Sequence, residues 1–183
     1  MGSRNDPLTI RDCRNEDRQA VRDVTLAAYR EFASVLPAPF WNSYEQHLRT
    51  ALAEEGPAER IVADRDGEIL GSVLLYPPAV NAYRGGAPST GWPEVRLLAV
   101  APAARGQGVG TALMEECIRR ARCAGASALG LHTMDAMKTA VRMYERMGFV
   151  RLPQTDFTPA PGVLVKGYRL DLQPIGTSAA PRP

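Results

Sequence analysis

Along this chain the spacing of apolar residues switches between alternation and helical recurrence, and each switch marks an element. Leu8–Arg14 (LTIRDCR) alternates and predicts a first strand. Val21, Val24, Ala28 and Phe32 then recur at helical spacing, which predicts a helix from Asn15. Asn15 is its expected cap, with Glu16 and Asp17 at the positive end of the dipole. Pro37–Pro39 break the pattern, and Phe40–Glu54 predicts a second helix with Trp41, Tyr44, Leu48 and Leu52 on one face. Arg60–Asp64 and Ile69–Tyr76 read as a hairpin turning at Asp66-Gly67. Pro77–Pro93 is a long loop rich in glycine and proline, a type that is usually functional or mobile. Glu94–Ala101 predicts a fourth strand, Gly108–Ala124 a helix ended by Gly125, and Ala128–Thr133 a fifth strand. Met137–Met147 predicts a last helix closed by Gly148, followed by strands over Phe149–Leu152 and Val163–Leu170. Strands that come both as hairpins and around helices imply a mixed α/β (α+β) sheet with helices on its faces. One domain over residues 1–172 is expected, with a disordered tail over residues 173–183.

Composition narrows the function without naming it. The 183 residues are 45% hydrophobic and 23% charged, with a formal net charge of +2. That balance is ordinary for a globular protein and too weak to predict nucleic-acid binding. No apolar run reaches the length of a membrane span, and the N-terminus lacks a signal-peptide core, so a cytoplasmic location is the expectation. The three cysteines form no CxxC pair, and His47 and His132 are far apart in sequence, so neither a disulfide nor a metal site is expected.

The chemistry starts at VRLLAVAPAARGQGVGTALMEE, residues 95–116. An apolar strand stops at Pro102, and Gly106, Gly108 and Gly110 precede or open a helix. Without Cβ atoms a chain turns sharply, and an anion can approach its amides. The first N–H groups of a helix lack internal partners, and its dipole adds about half a positive charge there. Phosphate is the guest this arrangement suits, with Arg105 adding a cation. The alternative is a tight strand-to-helix turn, for which three glycines are more than needed. The loop is neither a P-loop, since no lysine follows Gly110, nor a GxGxxG dinucleotide fingerprint.

RGQGVGTAL resembles the acetyl-CoA loop of the GNAT N-acetyltransferase family, [Q/R]-x-x-G-x-[G/A], with Arg105, Gly108 and Gly110 at its fixed positions. LLAVAP resembles that family's fourth strand, and AVRMYERMGF (Ala140–Phe149) its AxxxYxxxGF segment. The resemblance covers about Leu8–Leu172 and departs at Met137, where the family often carries an asparagine that helps position the cofactor. It implies a mostly antiparallel sheet of about seven strands whose fourth and fifth strands splay apart around the cofactor arm. It implies acetyl-CoA as cosubstrate, with main-chain contacts from Leu98, Ala99 and Val100. Arg105, Gly106, Gln107, Gly108, Val109, Gly110 and Thr111 are then the residues at the diphosphate. A free amide near Leu98 or Ala99 is the expected oxyanion donor.

Two side chains follow by the same resemblance. Glu94 opens the fourth strand four residues before Leu98, like the basic glutamate of the histone-acetyltransferase branch. Glu94, Arg96 and Leu98 are expected to share one face, unless a bulge intervenes; the plainer reading of Glu94 is a solvated strand end. Tyr144 occupies the motif tyrosine and is expected near the departing sulfur, as a hydrogen-bond donor more than a full acid; packing is its plainer reading. His132 ends the fifth strand, and a structural hydrogen bond is its plainer role. Met134, Met137, Met143 and Met147 are expected to pack. The acceptor is expected against Phe32–Tyr44, Tyr83–Trp92 and Gln154–Pro161, all of which also serve as hydrophobic cover. The reading is therefore direct acetyl transfer to a small-molecule or peptide amine in a ternary complex. A non-catalytic acyl-CoA sensor and a phosphate-ligand binder of another fold are the alternatives. Dimers are common in the resembled family, which leaves a homodimer open.

Overall fold

The computed structural model describes residues 7–78 and 90–172. The expectations for the loop over residues 79–89 and for the tail from residue 173 lie outside the described residues. Eight strands form the sheet: β1 (Thr9–Asp12), β2 (Glu59–Arg65), β3 (Glu68–Tyr76), β4 (Glu94–Val100), β5 (Ala128–Thr133), β6 (Val150–Arg151), β7 (Phe157–Ala160) and β8 (Val163–Asp171). Their order is β1-β2-β3-β4-β5-β8-β6, with β7 paired to β8. Every pairing is antiparallel except β4 with β5. The expected count of about seven misses β7, whose FTPA reads as loop because Pro159 cannot donate to a ladder.

Four helices cover the two faces: α1 (Arg18–Tyr29), α2 (Ala38–Ala53), α3 (Val109–Cys123) and α4 (Lys138–Arg146). On one face Leu113, Met114 and Cys117 of α3 and Tyr144 of α4 bury against Ile61, Val73, Val95 and Leu131. On the other, Ala28 and Tyr29 of α1 and Trp41 and Leu48 of α2 close over Ala99. Asn15 is not the cap expected of it: it lies inside a short 3-10 turn, Asn15–Asp17. There Asp17 accepts the Arg14 N–H at 2.7 Å. Asp17 also takes the Arg11 guanidinium at 2.6 Å, which holds its carboxyl below the usual range.

The sheet opens in its middle. β4 and β5 pair only at Glu94–Gly130 and Val95–Leu131. Beyond that point their backbones separate. At the closed end Trp92 lies across β5, and a Cβ on Gly130 would come within 2.6 Å of its indole nitrogen. Arg169 of β8 stacks on that indole at 4.7 Å. The opening continues along β4 as a bulge. Leu74 faces Arg96 but Ser72 faces Ala99, so β4 carries one extra residue, and Leu97 takes a φ of 50°.

Candidate active site

The glycines do different jobs. Gly106 and Gly108 have φ of 74° and 80°, a region L side chains rarely adopt, whereas Gly110 does not. Gly108 is the cap residue of α3, and no side chain caps this terminus. The first intrahelical donor is the Ala112 N–H, to the Gly108 carbonyl at 2.9 Å. The amides of Val109, Gly110 and Thr111 therefore have no partner in the helix. Gly106, Gly108, Val109, Gly110 and Thr111 all line one large cleft of about 1910 Å³. Gly110 faces Met143 of α4, where a Cβ would meet its Sδ at 3.4 Å, an ordinary contact.

Arg105 also lines the cleft, but it is tied down, donating to Glu31 Oε2 at 2.6 Å and to the Ala28 carbonyl at 3.2 Å. The Gln107 side chain turns away from the cleft. Its amide donates to the Ala103 carbonyl at 3.1 Å and accepts from Arg65 at 3.0 Å, which anchors the loop to the β2–β3 hairpin. Its side chain is spent on that anchor and is not part of the cleft wall.

The gap between β4 and β5 is the second part of the site. Ala101 donates to the Leu70 carbonyl at 2.8 Å, so by alternation Ala99 also points its peptide at β3 and Val100 points its own into the gap. The expectation of a backbone contact from Ala99 is corrected accordingly. The Leu98 carbonyl accepts the Tyr29 hydroxyl at 3.3 Å. The shared face expected of Glu94, Arg96 and Leu98 is also corrected. Val95 lies on the α3 face, which puts Glu94 and Arg96 on the opposite face. The bulge then turns Leu97 and Ala99 toward α1 and α2, and Leu98 and Val100 toward α3.

Glu94 and His132 meet where β4 and β5 last touch. His132 Nδ1 lies 2.7 Å from Glu94 Oε1, and its Nε2 lies 2.9 Å from the Thr155 carbonyl oxygen. Glu94 is 8% exposed, and the imidazole 3%. A carbonyl only accepts, so Nε2 is placed to donate to Thr155 while Nδ1 faces the Glu94 carboxylate. His132 reaches the cleft wall, whereas Glu94 stands behind it. No local signal predicts the pairing: the strands are parallel, and the start of the fourth meets the end of the fifth only because they pair at Glu94–Gly130 and Val95–Leu131.

Tyr144 enters the cleft from α4, 6% exposed, with Phe149 packed against it at 5.9 Å. Burial pushes its phenol further above the usual value, which favours donation of a hydrogen bond over loss of the proton. Met137 and Met143 line the cleft too, and Thr133 donates to the Met137 sulfur at 3.6 Å. The Cys117 thiol lies deep in α3, where burial pushes it up to about 12, so it is no nucleophile at neutral pH. Among the described residues no group of three His, Cys, Asp or Glu side chains could hold a metal, and no helix is long and apolar enough to cross a membrane.

The chain is similar to several known proteins. It is 35% identical over 95 residues to mycothiol acetyltransferase of Cellulomonas flavigena, matching 52% of this chain and 27% of that protein. It thus spans about a quarter of that relative's length. The crystal structure of a GNAT family acetyltransferase from Brucella melitensis, in complex with acetyl-CoA, superposes with a TM-score of 0.59 at 26% identity, covering 93% of this chain and 91% of that one. A GNAT family acetyltransferase from Staphylococcus aureus shares the fold, with a TM-score of 0.66 at 15% identity, covering 91% of this chain and all of that one. The sequence model of the acetyltransferase (GNAT) family matches residues 20–149, which takes in the splayed strands, the glycine loop and the Tyr144 helix. With fold, loop and motif in agreement, this chain belongs to the GNAT acetyltransferase family.

Proposed function

We propose that the protein transfers the acetyl group of acetyl-CoA directly to a primary amine in a ternary complex. One observation carries the reading: β4 and β5 part beyond Val95, and the uncapped start of α3 opens into the same cleft. The amides of Val109, Gly110 and Thr111, with Gly106 and Gly108 shaping the approach, fit a diphosphate. The gap-facing peptide of Val100, beside Leu98, fits an extended amide-bearing arm laid along β4. Arg105 braces this loop against α1. The relative solved with acetyl-CoA supports the same cosubstrate.

Bound acetyl-CoA supplies a thioester carbon open to attack and a thiol as leaving group. The protein must then manage two protons. A lysine-like amine has a pKa near 10.4, so about one part in 2,500 is neutral at pH 7, a handicap of about 4–5 kcal/mol. An α-amine loses only about 1 kcal/mol. Glu94, in its pair with His132, is the base. The pair receives the amine's proton at the end of the gap. Tyr144 donates a hydrogen bond to the departing sulfur.

The test measures thiol release from acetyl-CoA across amine classes, with coenzyme A binding followed by calorimetry. Binding together with release on at least one primary amine supports the reading. Binding with no release on any amine replaces it with an acyl-CoA sensor.

A further inference from the structure

Resting on that transferase reading, we propose that the acceptor is a monoamine with an aromatic body, seated against Phe40, Tyr44, Met137 and Phe157. The wall these residues form is continuous with the reacting centre. Tyr44 and Met137 belong both to the apolar cluster over Ala99 of β4 and to the one around Met134 and Val165 of β5–β8, so they join the two sides of the gap. Phe40 stacks on Tyr44 at 5.6 Å and 14°. At one end of the wall the Tyr29 ring lies 6.1 Å from Tyr44 and its hydroxyl bonds the Leu98 carbonyl. At the other, the Phe157 ring lies edge-on to His132 at 5.5 Å. An amine held between Leu98 and His132 therefore projects its body onto aromatic and thioether surface.

Charge limits that body. Aromatic faces accept one ammonium through their quadrupoles, but further ammonium groups need carboxylates. The carboxylates among the described lining residues are Glu31 and Glu54. Glu31 is bonded to Arg105 at 2.6 Å. Glu54 follows the far end of α2, about 15 Å along the helix axis from Tyr44. Burial pushes the Tyr44 phenol up to about 12, so it offers no anion. Arg96 adds a cation to the same lining, stacked on Tyr76 at 5.3 Å. A polyamine meets this wall with charges it does not neutralise, whereas an aromatic monoamine leaves nothing unpaired.

The experiment compares kcat/KM for 2-phenylethylamine and spermidine by thiol release, in the wild-type protein and in Phe40→Ala. The expected ratio favours 2-phenylethylamine by at least about tenfold. Phe40→Ala should lower that substrate's kcat/KM by about fivefold, lower spermidine's by clearly less, and leave coenzyme A affinity unchanged. Equal or better turnover of spermidine overturns the acceptor class and leaves the transferase reading standing. So does a Phe40→Ala effect of the same size on both amines. Coenzyme A binding without release on any amine overturns both.

Discussion

Replacing Glu94 by glutamine removes a carboxylate from the centre of the site while keeping its shape. In the wild-type protein both ring nitrogens of His132 face acceptors, Glu94 Oε1 at 2.7 Å and the Thr155 carbonyl at 2.9 Å. In Glu94→Gln the new amide donates to Nδ1, and Nε2–H keeps its bond to Thr155. Both ring nitrogens then keep a bonding partner. Since no buried charge is left alone, the stability change should stay below about 1 kcal/mol. The same swap removes the base. General-base catalysis is worth about 100- to 10,000-fold, and a lysine-like acceptor needs most of that range. Glu94→Gln should therefore lower kcat/KM by at least about 100-fold. The acidic limb of the kcat/KM profile should shift in the variant. The assay is thiol release across pH, with denaturant unfolding alongside. An unchanged rate and profile would remove Glu94 from the mechanism. A rate loss matched by equal losses of stability and coenzyme A affinity would make the pair structural only.

Further consequences can be measured separately. Alanine at Gly108 must adopt a φ near 80° in open space, so its cost is conformational, about 1–2 kcal/mol, and coenzyme A affinity should fall about tenfold in calorimetry. Alanine at Gly110 meets Met143 and Val100 at 3.4–3.5 Å with an ordinary φ and should stay within about 0.5 kcal/mol of wild type; the reverse ranking contradicts the division of labour in the loop. Tyr144→Phe should lower kcat by about 100-fold with coenzyme A affinity unchanged, and equal losses of both would leave the tyrosine a packing residue. Hydrogen bonds from Arg119 and then Arg120 hold the Glu116 carboxyl at about 2, below its ordinary 4.5. A depressed carboxylate stabilises the fold above its ordinary pKa and loses that contribution as pH falls through about 2. Glu116→Gln should thus flatten the acid limb of stability between about pH 4.5 and 2, by about 1 kcal/mol at this part-exposed site; an unchanged limb refutes it.

Periodicity revealed most of the fold because most elements bury one face. β5 was read at its observed limits, Ala128–Thr133, and α3 to within a residue at each end. Elements without such a pattern escaped. β7 carries a proline and pairs at an edge, so nothing local distinguishes FTPA from loop. The bulge at Leu97 is set by pairing with β3 and by packing on both faces, which is why strand parity misassigned Leu98. At the site, the loop glycines announce an anion-binding terminus, but only the backbone separates Gly106 and Gly108, needed for their φ, from Gly110, where a Cβ would make ordinary contacts. Gln107 stands at a variable position of the motif, and its side chain bonds Arg65 and Ala103. The Glu94–His132 bond joins residues 38 apart in sequence through a parallel strand pair whose register no local signal fixes.

The central claim concerns the diphosphate at the start of α3, and comparing coenzyme A with pantetheine by calorimetry tests it most directly. Pantetheine has the arm that lies along β4 but no diphosphate. Coenzyme A should bind at least about 100-fold more tightly than pantetheine, and Gly108→Ala should narrow that gap. Equal affinity for the two, or a gap that Gly108→Ala leaves untouched, would contradict the account.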